Sequence, residues 1–87
     1  MIKPYQGHRS WNAWNVSLWL NNTESLYKLA MYYLTKYKAI GDTKGYTKRR
    51  VCNIVARILR KELDNKTPDG AVYTQLSVML AIMGMLE

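Results

Sequence analysis

The sequence has few of the residues on which covalent, metal-dependent or acid–base chemistry depends. Its 87 residues include one cysteine, one histidine and no phenylalanine. Cys52 has no second cysteine to pair with, and one histidine and one cysteine are too few ligands for a zinc site. The six acidic residues are scattered, and no nucleophile–base set can be assembled around them. We therefore predict that the protein is not an enzyme and uses no metal or cofactor.

Long apolar runs are also missing. The longest runs from Val78 to Leu86, is interrupted by Gly84, and is far shorter than the roughly 20 residues of a membrane span. The N-terminus lacks the apolar segment of a secretory signal. We expect a cytoplasmic protein with no membrane attachment.

The spacing of the apolar residues predicts an all-α fold. We expect a compact bundle of three to four helices in a single domain over residues 1–87, with residues 1–10 as an extended arm. The first helix is predicted from about Ala13 to Asn21, with Asn12 as its N-cap. Residues 13–20 also alternate in polarity as a strand would, so both structures remain open there. The i, i+4 spacing of Trp14 and Leu18 favours the helix.

Three further helices follow from similar signals. The second is predicted from about residue 24 to 38, with a loop over residues 40–46. The third runs from a Thr47 cap to about residue 63, and a turn over residues 65–70 ends it. The fourth covers about residues 71–86.

The charge is concentrated in the middle of the chain. The formal net charge is +7, and residues 28–61 carry ten basic side chains against Asp42 alone. Such asymmetry indicates a surface for an anionic partner. The candidate partner-binding residues, named the basic face, all lie on the predicted third helix: Lys48, Arg49, Arg50, Asn53, Arg57, Arg60 and Lys61. The alternative is a solvated helix surface whose arginine stems cover the edge of the core.

The predicted fourth helix is apolar on nearly every side, which requires either a central place in the core or a partner. Docking or homodimerisation through this helix therefore stands beside simple burial. Candidate interface residues are Trp11, just before the predicted first helix, Trp19 within it, and Met79 and Met83 in the fourth helix.

A helix-turn-helix motif requires a turn of three to four residues, whereas about eight separate the predicted second and third helices. The sequence therefore does not support a DNA-reading motif of that kind.

The N-terminal third carries the motif W-N-x-W-N-V-x-L-W at residues 11–19. In this motif the chain resembles a family of small proteins of bacteriophages and mobile elements that has no settled activity. The resemblance implies a phage-type accessory protein in a bacterial cytoplasm, and no site residue is carried over. By analogy, such a protein would disarm a host defence such as CRISPR or a restriction nuclease.

These observations lead to three hypotheses of function. The first is a non-enzymatic inhibitor that binds a bacterial protein or nucleoprotein complex with an acidic surface. The second is a nucleic-acid-binding protein that uses the same basic face. The third is a structural phage component that assembles through its last helix.

Overall fold

The computed structural model describes residues 10–86. They form four helices: α1 (Trp11–Asn22), α2 (Glu24–Lys44), α3 (Lys48–Arg60) and α4 (Gln75–Met85). This part of the chain contains no β-strand beyond a single antiparallel bridge between Lys66 and Val72. The predicted all-α bundle is confirmed. The arm predicted over residues 1–10 lies outside the described residues except for Ser10, and the single domain over residues 1–87 stays a prediction.

Helix α4 lies at the centre of the bundle, where it packs against α1 and α3 and, less extensively, against α2. Its sequence is apolar on several sides because each side meets another helix. Ser77, Val78, Met79, Ala81 and Ile82 are buried. Leu76, at its first turn, remains 45% exposed. Burial in the core thus accounts for most of the apolar surface of α4, and dimerisation through this helix stays a prediction.

Helix α1 confirms the helical interpretation of residues 13–20, but its predicted cap is wrong. The hydroxyl of Ser10 accepts a hydrogen bond from the backbone N–H of Ala13 at 3.1 Å, which makes Ser10 the N-cap. Asn12 lies inside the helix, and its side chain is hydrogen-bonded to the backbone of Val72. The side chain of Asn12, which the sequence predicts to cap the helix, therefore binds the distant Val72 instead.

Helix α2 continues through most of the region predicted as a loop. Gly41 allows this, because a Cβ atom at this position would lie 2.7 Å from Cγ2 of Val51 on α3. The helix ends at Gly45, whose φ of 74° is the left-handed conformation that glycine adopts without strain. Only residues 45–47 separate α2 from α3.

This connection is short enough for a helix-turn-helix, but the helices do not cross as that motif requires. The hydroxyl of Tyr33 donates to Oε2 of Glu62 at 2.9 Å. Tyr33 lies 11 residues before the end of α2. Glu62 lies 14 residues after the start of α3, just past its end at Arg60. At 1.5 Å per residue both are roughly 17–21 Å from the turn. Side chains can meet there only if the helices run side by side, whereas helix-turn-helix pairs cross at about 90–120°.

The segment between α3 and α4 also differs from the prediction. Helix α3 ends at Arg60 and α4 begins at Gln75, where Thr74 and Ser77 form a reciprocal capping box. Residues 65–73, named the 65–73 hairpin, fold back on themselves. Thr67 N–H donates to the carbonyl of Ala71 at 2.8 Å, and Tyr73 N–H donates to that of Asn65 at 3.1 Å. The prediction of helix from residue 71 is therefore wrong.

Gly41 provides a test of the close α2–α3 packing. We expect Gly41→Ala to lower the free energy of unfolding by about 1–2 kcal/mol, because overpacking exceeds the helix propensity gained. Urea denaturation at neutral pH measures this. The matched control is Gly84→Ala, since a Cβ atom at Gly84 meets nothing within 4 Å. Equal effects at the two positions would contradict the packing argument.

Candidate anion-binding surface

The basic face is carried by the side of α3 that points away from the core. Its opposite side buries five residues: Val51, Cys52, Val55, Ala56 and Leu59. All six cations of the basic face are exposed. The helical period separates the two sets, because residues three, four and seven apart share one side. A well-packed helix thus presents a row of cations to solvent, as the sequence predicted.

At the start of α3, Arg50 packs against Tyr46. The guanidinium carbon of Arg50 lies 4.2 Å from the centroid of the tyrosine ring. The helix dipole disfavours cations in a first turn, and a cation–π contact of this kind offsets part of that cost. The Thr47 hydroxyl accepts from the backbone N–H of Arg50 at 3.1 Å, so the predicted cap is confirmed. Arg50 is therefore partly engaged within the protein.

Asn53 and Arg60, two members of the basic face, tie α3 to the start of α4. Gln75 Nε2 donates to Oδ1 of Asn53 at 2.7 Å and to its carbonyl at 2.8 Å. Arg60 Nε donates to the carbonyl of Tyr73 at 2.8 Å. These bonds give both residues a structural role that local sequence does not reveal, because the partners lie 13 and 22 residues away.

Arg49, Arg57 and Lys61 are cations of the basic face to which the described structure gives no second task. All three are exposed, and none forms an ion pair among residues 10–86. The one salt bridge within that range joins Lys28 to Glu24 on α2, at 2.7 Å. The charges of Arg49, Arg57 and Lys61 are therefore not paired with a carboxylate within the described residues.

The candidate interface residues outside α3 have different environments. Trp11 is 41% exposed, whereas Met79 is buried at 4% and contributes to the core. Trp19 is half-buried and donates its indole N–H to Oδ2 of Asp69 at 2.9 Å. Met83 is half-buried. Of these four, Trp11 is the side chain that the fold presents most fully to solvent.

The 65–73 hairpin is held against α1 by side chains of the W-N-x-W-N motif. Asn12 Nδ2 donates to the carbonyl of Val72, and its Oδ1 accepts from the N–H of Val72, each at 2.8 Å. Asn15 is only 1% exposed, yet its Oδ1 accepts from the buried hydroxyl of Thr67 at 2.6 Å. The same hydroxyl accepts from the N–H of Ala71 at 3.0 Å. The asparagines of the motif therefore fix a loop that lies more than 50 residues away.

The hairpin contact also contains one charged acceptor. Asp69 Oδ2 accepts from Asn15 Nδ2 at 2.8 Å and from the Trp19 indole. These hydrogen bonds, that of Asn15 first, lower the pKa of the Asp69 carboxyl because they favour its ionised form.

Cys52 is completely buried, and burial raises the pKa of its thiol more than the nearby Lys48 lowers it. Residues 10–86 bring together no group of three His, Cys, Asp or Glu side chains that could hold a metal ion. In the same range, no helix has both the length and the apolar character needed to cross a lipid bilayer.

Comparison with known proteins gives one match, and it covers the entire chain. Residues 1–87 match the sequence profile of a family of unknown function, DUF7249. The chain belongs to this family. No curated protein and no solved structure matches the sequence.

The hydroxyl of Thr67 provides a test of the hairpin contact. We expect Thr67→Val to lower the free energy of unfolding by about 2–3 kcal/mol, because Asn15 Oδ1 and the N–H of Ala71 would lose their buried partner. Urea denaturation measures this. Thr35→Val, at an exposed site on α2, is the control and should change stability by under about 0.5 kcal/mol. Similar losses in both variants would show that Thr67 is not a special site.

Asp69 makes the stability of the protein depend on pH. Because its folded pKa lies below the unfolded value, its contribution is fully present above about pH 4 and is lost as pH falls through the folded pKa. We expect the wild-type Tm to fall more steeply than that of Asp69→Asn between about pH 5 and 2. Asp42→Asn controls for the loss of one negative charge and should follow the wild type. A wild-type slope in Asp69→Asn would contradict this role.

Proposed function

We propose that the protein is a non-enzymatic binding protein that attaches through the basic face of α3 to an acidic surface of a bacterial protein or nucleoprotein complex. The observation that carries this proposal is the set formed by Arg49, Arg57 and Lys61, which is exposed and has no ion-pair partner within residues 10–86. Guanidinium groups on a rigid helix suit bidentate recognition of carboxylates or phosphates. A packed helix also loses little conformational freedom when it binds.

The distribution of aromatic side chains favours a protein partner over single-stranded nucleic acid. Proteins that bind single strands combine cations with open rings on which bases stack. The exposed rings of the described chain, those of Trp11, Tyr27 and Tyr32, lie on α1 and α2. Tyr46, at the start of α3, is half-buried, and Arg50 lies over its ring. No open ring thus accompanies the cations of the basic face in this part of the chain.

The side-by-side packing of α2 and α3 argues against groove reading by a helix-turn-helix. Contact with the phosphates of a duplex remains the second candidate, because it needs only exposed cations in a row. Its expected signature is an affinity that falls steeply with salt.

The resemblance of residues 11–19 to proteins of phages and mobile elements supports a more specific form of the proposal. In that form the target is a host-defence complex, such as a CRISPR effector or a restriction nuclease, and binding inhibits it. The positive charge of the chain is opposite to that of an acidic DNA mimic, so inhibition would follow from blocking an acidic groove.

The test is retention of bacterial proteins by the immobilised protein before and after nuclease treatment. Arg49→Ala/Arg57→Ala should abolish retention, whereas Lys28→Ala/Lys36→Ala, which removes two charges from α2, should preserve it. Circular dichroism checks that both variants fold. Retention that survives nuclease supports a protein partner, and loss with nuclease favours the nucleic-acid candidate. Equal retention by the two double variants would overturn the role of the basic face.

A further inference from the structure

A cleft of about 390 Å³ lies where the basic face meets the 65–73 hairpin. Arg57, Arg60 and Lys61 line it from the end of α3. The opposite wall is formed by Asp64, Asn65, Val72 and Tyr73. Its volume lies within the range of small-molecule sites, about 300–1,000 Å³, and far exceeds that of a single carboxylate. It can hold a side chain together with part of the segment that carries it.

The cationic wall is oriented in advance by hydrogen bonds within the protein. Arg60 donates Nε–H to the carbonyl of Tyr73 at 2.8 Å and Nη1–H to Oε1 of Gln75 at 3.4 Å. A guanidinium has five N–H groups, so these two bonds leave three free. Gln75 is itself anchored by Asn53. A ligand would therefore meet a guanidinium whose orientation is already fixed, which reduces the entropy lost on binding.

The opposite wall is fixed as well, and its accessible apolar side chain is Val72. Val72 is 42% exposed, while its backbone is held to Asn12 by two hydrogen bonds of 2.8 Å. Tyr73 also lines the cleft, but its side chain is only 6% exposed. Because its ring is covered, it offers no surface for stacking of a nucleic-acid base.

The charges of the cleft favour a ligand with a single anionic group. The lining contains three cations and one carboxylate, that of Asp64, so its formal charge is +2. The carboxylate repels a second anion, which disfavours a chain of phosphates. A carboxylate side chain with apolar neighbours fits both walls at once.

From this geometry we infer that the cleft is the subsite for an acidic side chain of a protein partner, with the carboxylate between Arg57, Arg60 and Lys61 and an apolar neighbour against Val72. This inference rests on the proposed function and specifies the chemistry of the partner. Arg57 and Lys61 are the adaptable contacts. Arg60 is the preoriented one, and Val72 selects for an apolar neighbour.

The experiment is an NMR titration of the full chain, labelled with ¹⁵N, with a blocked pentapeptide that has one glutamate between two leucines. The Nε–H signal of Arg60 and the amide signals of Asn65 and Val72 should shift in a saturable way. The same peptide with glutamine in place of glutamate should bind at least five-fold more weakly. A short DNA duplex serves as the competing ligand.

Variants separate the cleft from the general positive charge. Arg57→Ala and Val72→Glu should each weaken peptide binding five-fold or more. Lys36→Ala, which removes one charge from α2, should stay within two-fold of the wild type. The exposed position of the Val72 side chain keeps these substitutions compatible with folding, which thermal denaturation checks.

The other outcomes are distinguishable. Equal weakening by Arg49→Ala and Arg57→Ala, with no effect of Val72→Glu, would overturn the cleft and leave the proposed function standing. Displacement of the peptide by the duplex, with the same dependence on Val72, would overturn the carboxylate in favour of phosphate. Absence of any saturable shift with the peptide at low salt would overturn the cleft, whereas the proposed function fails only if the Arg49→Ala/Arg57→Ala variant retains bacterial proteins as well as the wild type does.

Discussion

The buried hydrogen bond between Asn15 and Thr67 is the constraint on which the candidate surface depends. An unpaired amide in the interior is costly, so the 65–73 hairpin stays against α1 only while these two side chains satisfy each other. Once the hairpin is fixed, its carbonyl at Tyr73 holds Arg60, and Gln75 holds Asn53. The end of α3 thus takes its shape from a polar contact between α1 and the hairpin.

Much of the helical architecture could be predicted from the sequence, because apolar side chains at helical spacing depend on local order alone. The boundaries depended on contacts that local order does not contain. In the sequence Gly41 indicates a loop. In the structure it allows α2 to pack closely against Val51 of α3. Asn12 is predicted to be a helix cap, but its side chain is hydrogen-bonded to the backbone of Val72. Residues 71–74 resemble the apolar helix that follows them, yet the hairpin and the Thr74 cap exclude them from it.

For the basic face as well, some features follow from the local sequence and others depend on distant contacts. Its position on one side of α3 follows from helical periodicity, and the structure has it there. Which of its members are available for binding could not be predicted, because that depends on Gln75 and on the carbonyl of Tyr73. Side chains that look equivalent in sequence therefore differ in the structure, because Asn53 and Arg60 also hold α3 to the start of α4. The cleft beside them was also beyond prediction, since the hairpin that forms one wall was not foreseen.

The hydrogen bonds between Asn12 and Val72 span 60 residues, so α1 gains its partner only when a segment much later in the chain is in place. Contacts of such separation slow folding, because a long loop must close before they can form. While the chain is being synthesised, α1 would leave the ribosome with its asparagines and its indole N–H unpaired, and would wait for the hairpin. Folding of residues 10–86 is therefore expected to be an all-or-none event that follows synthesis of the hairpin.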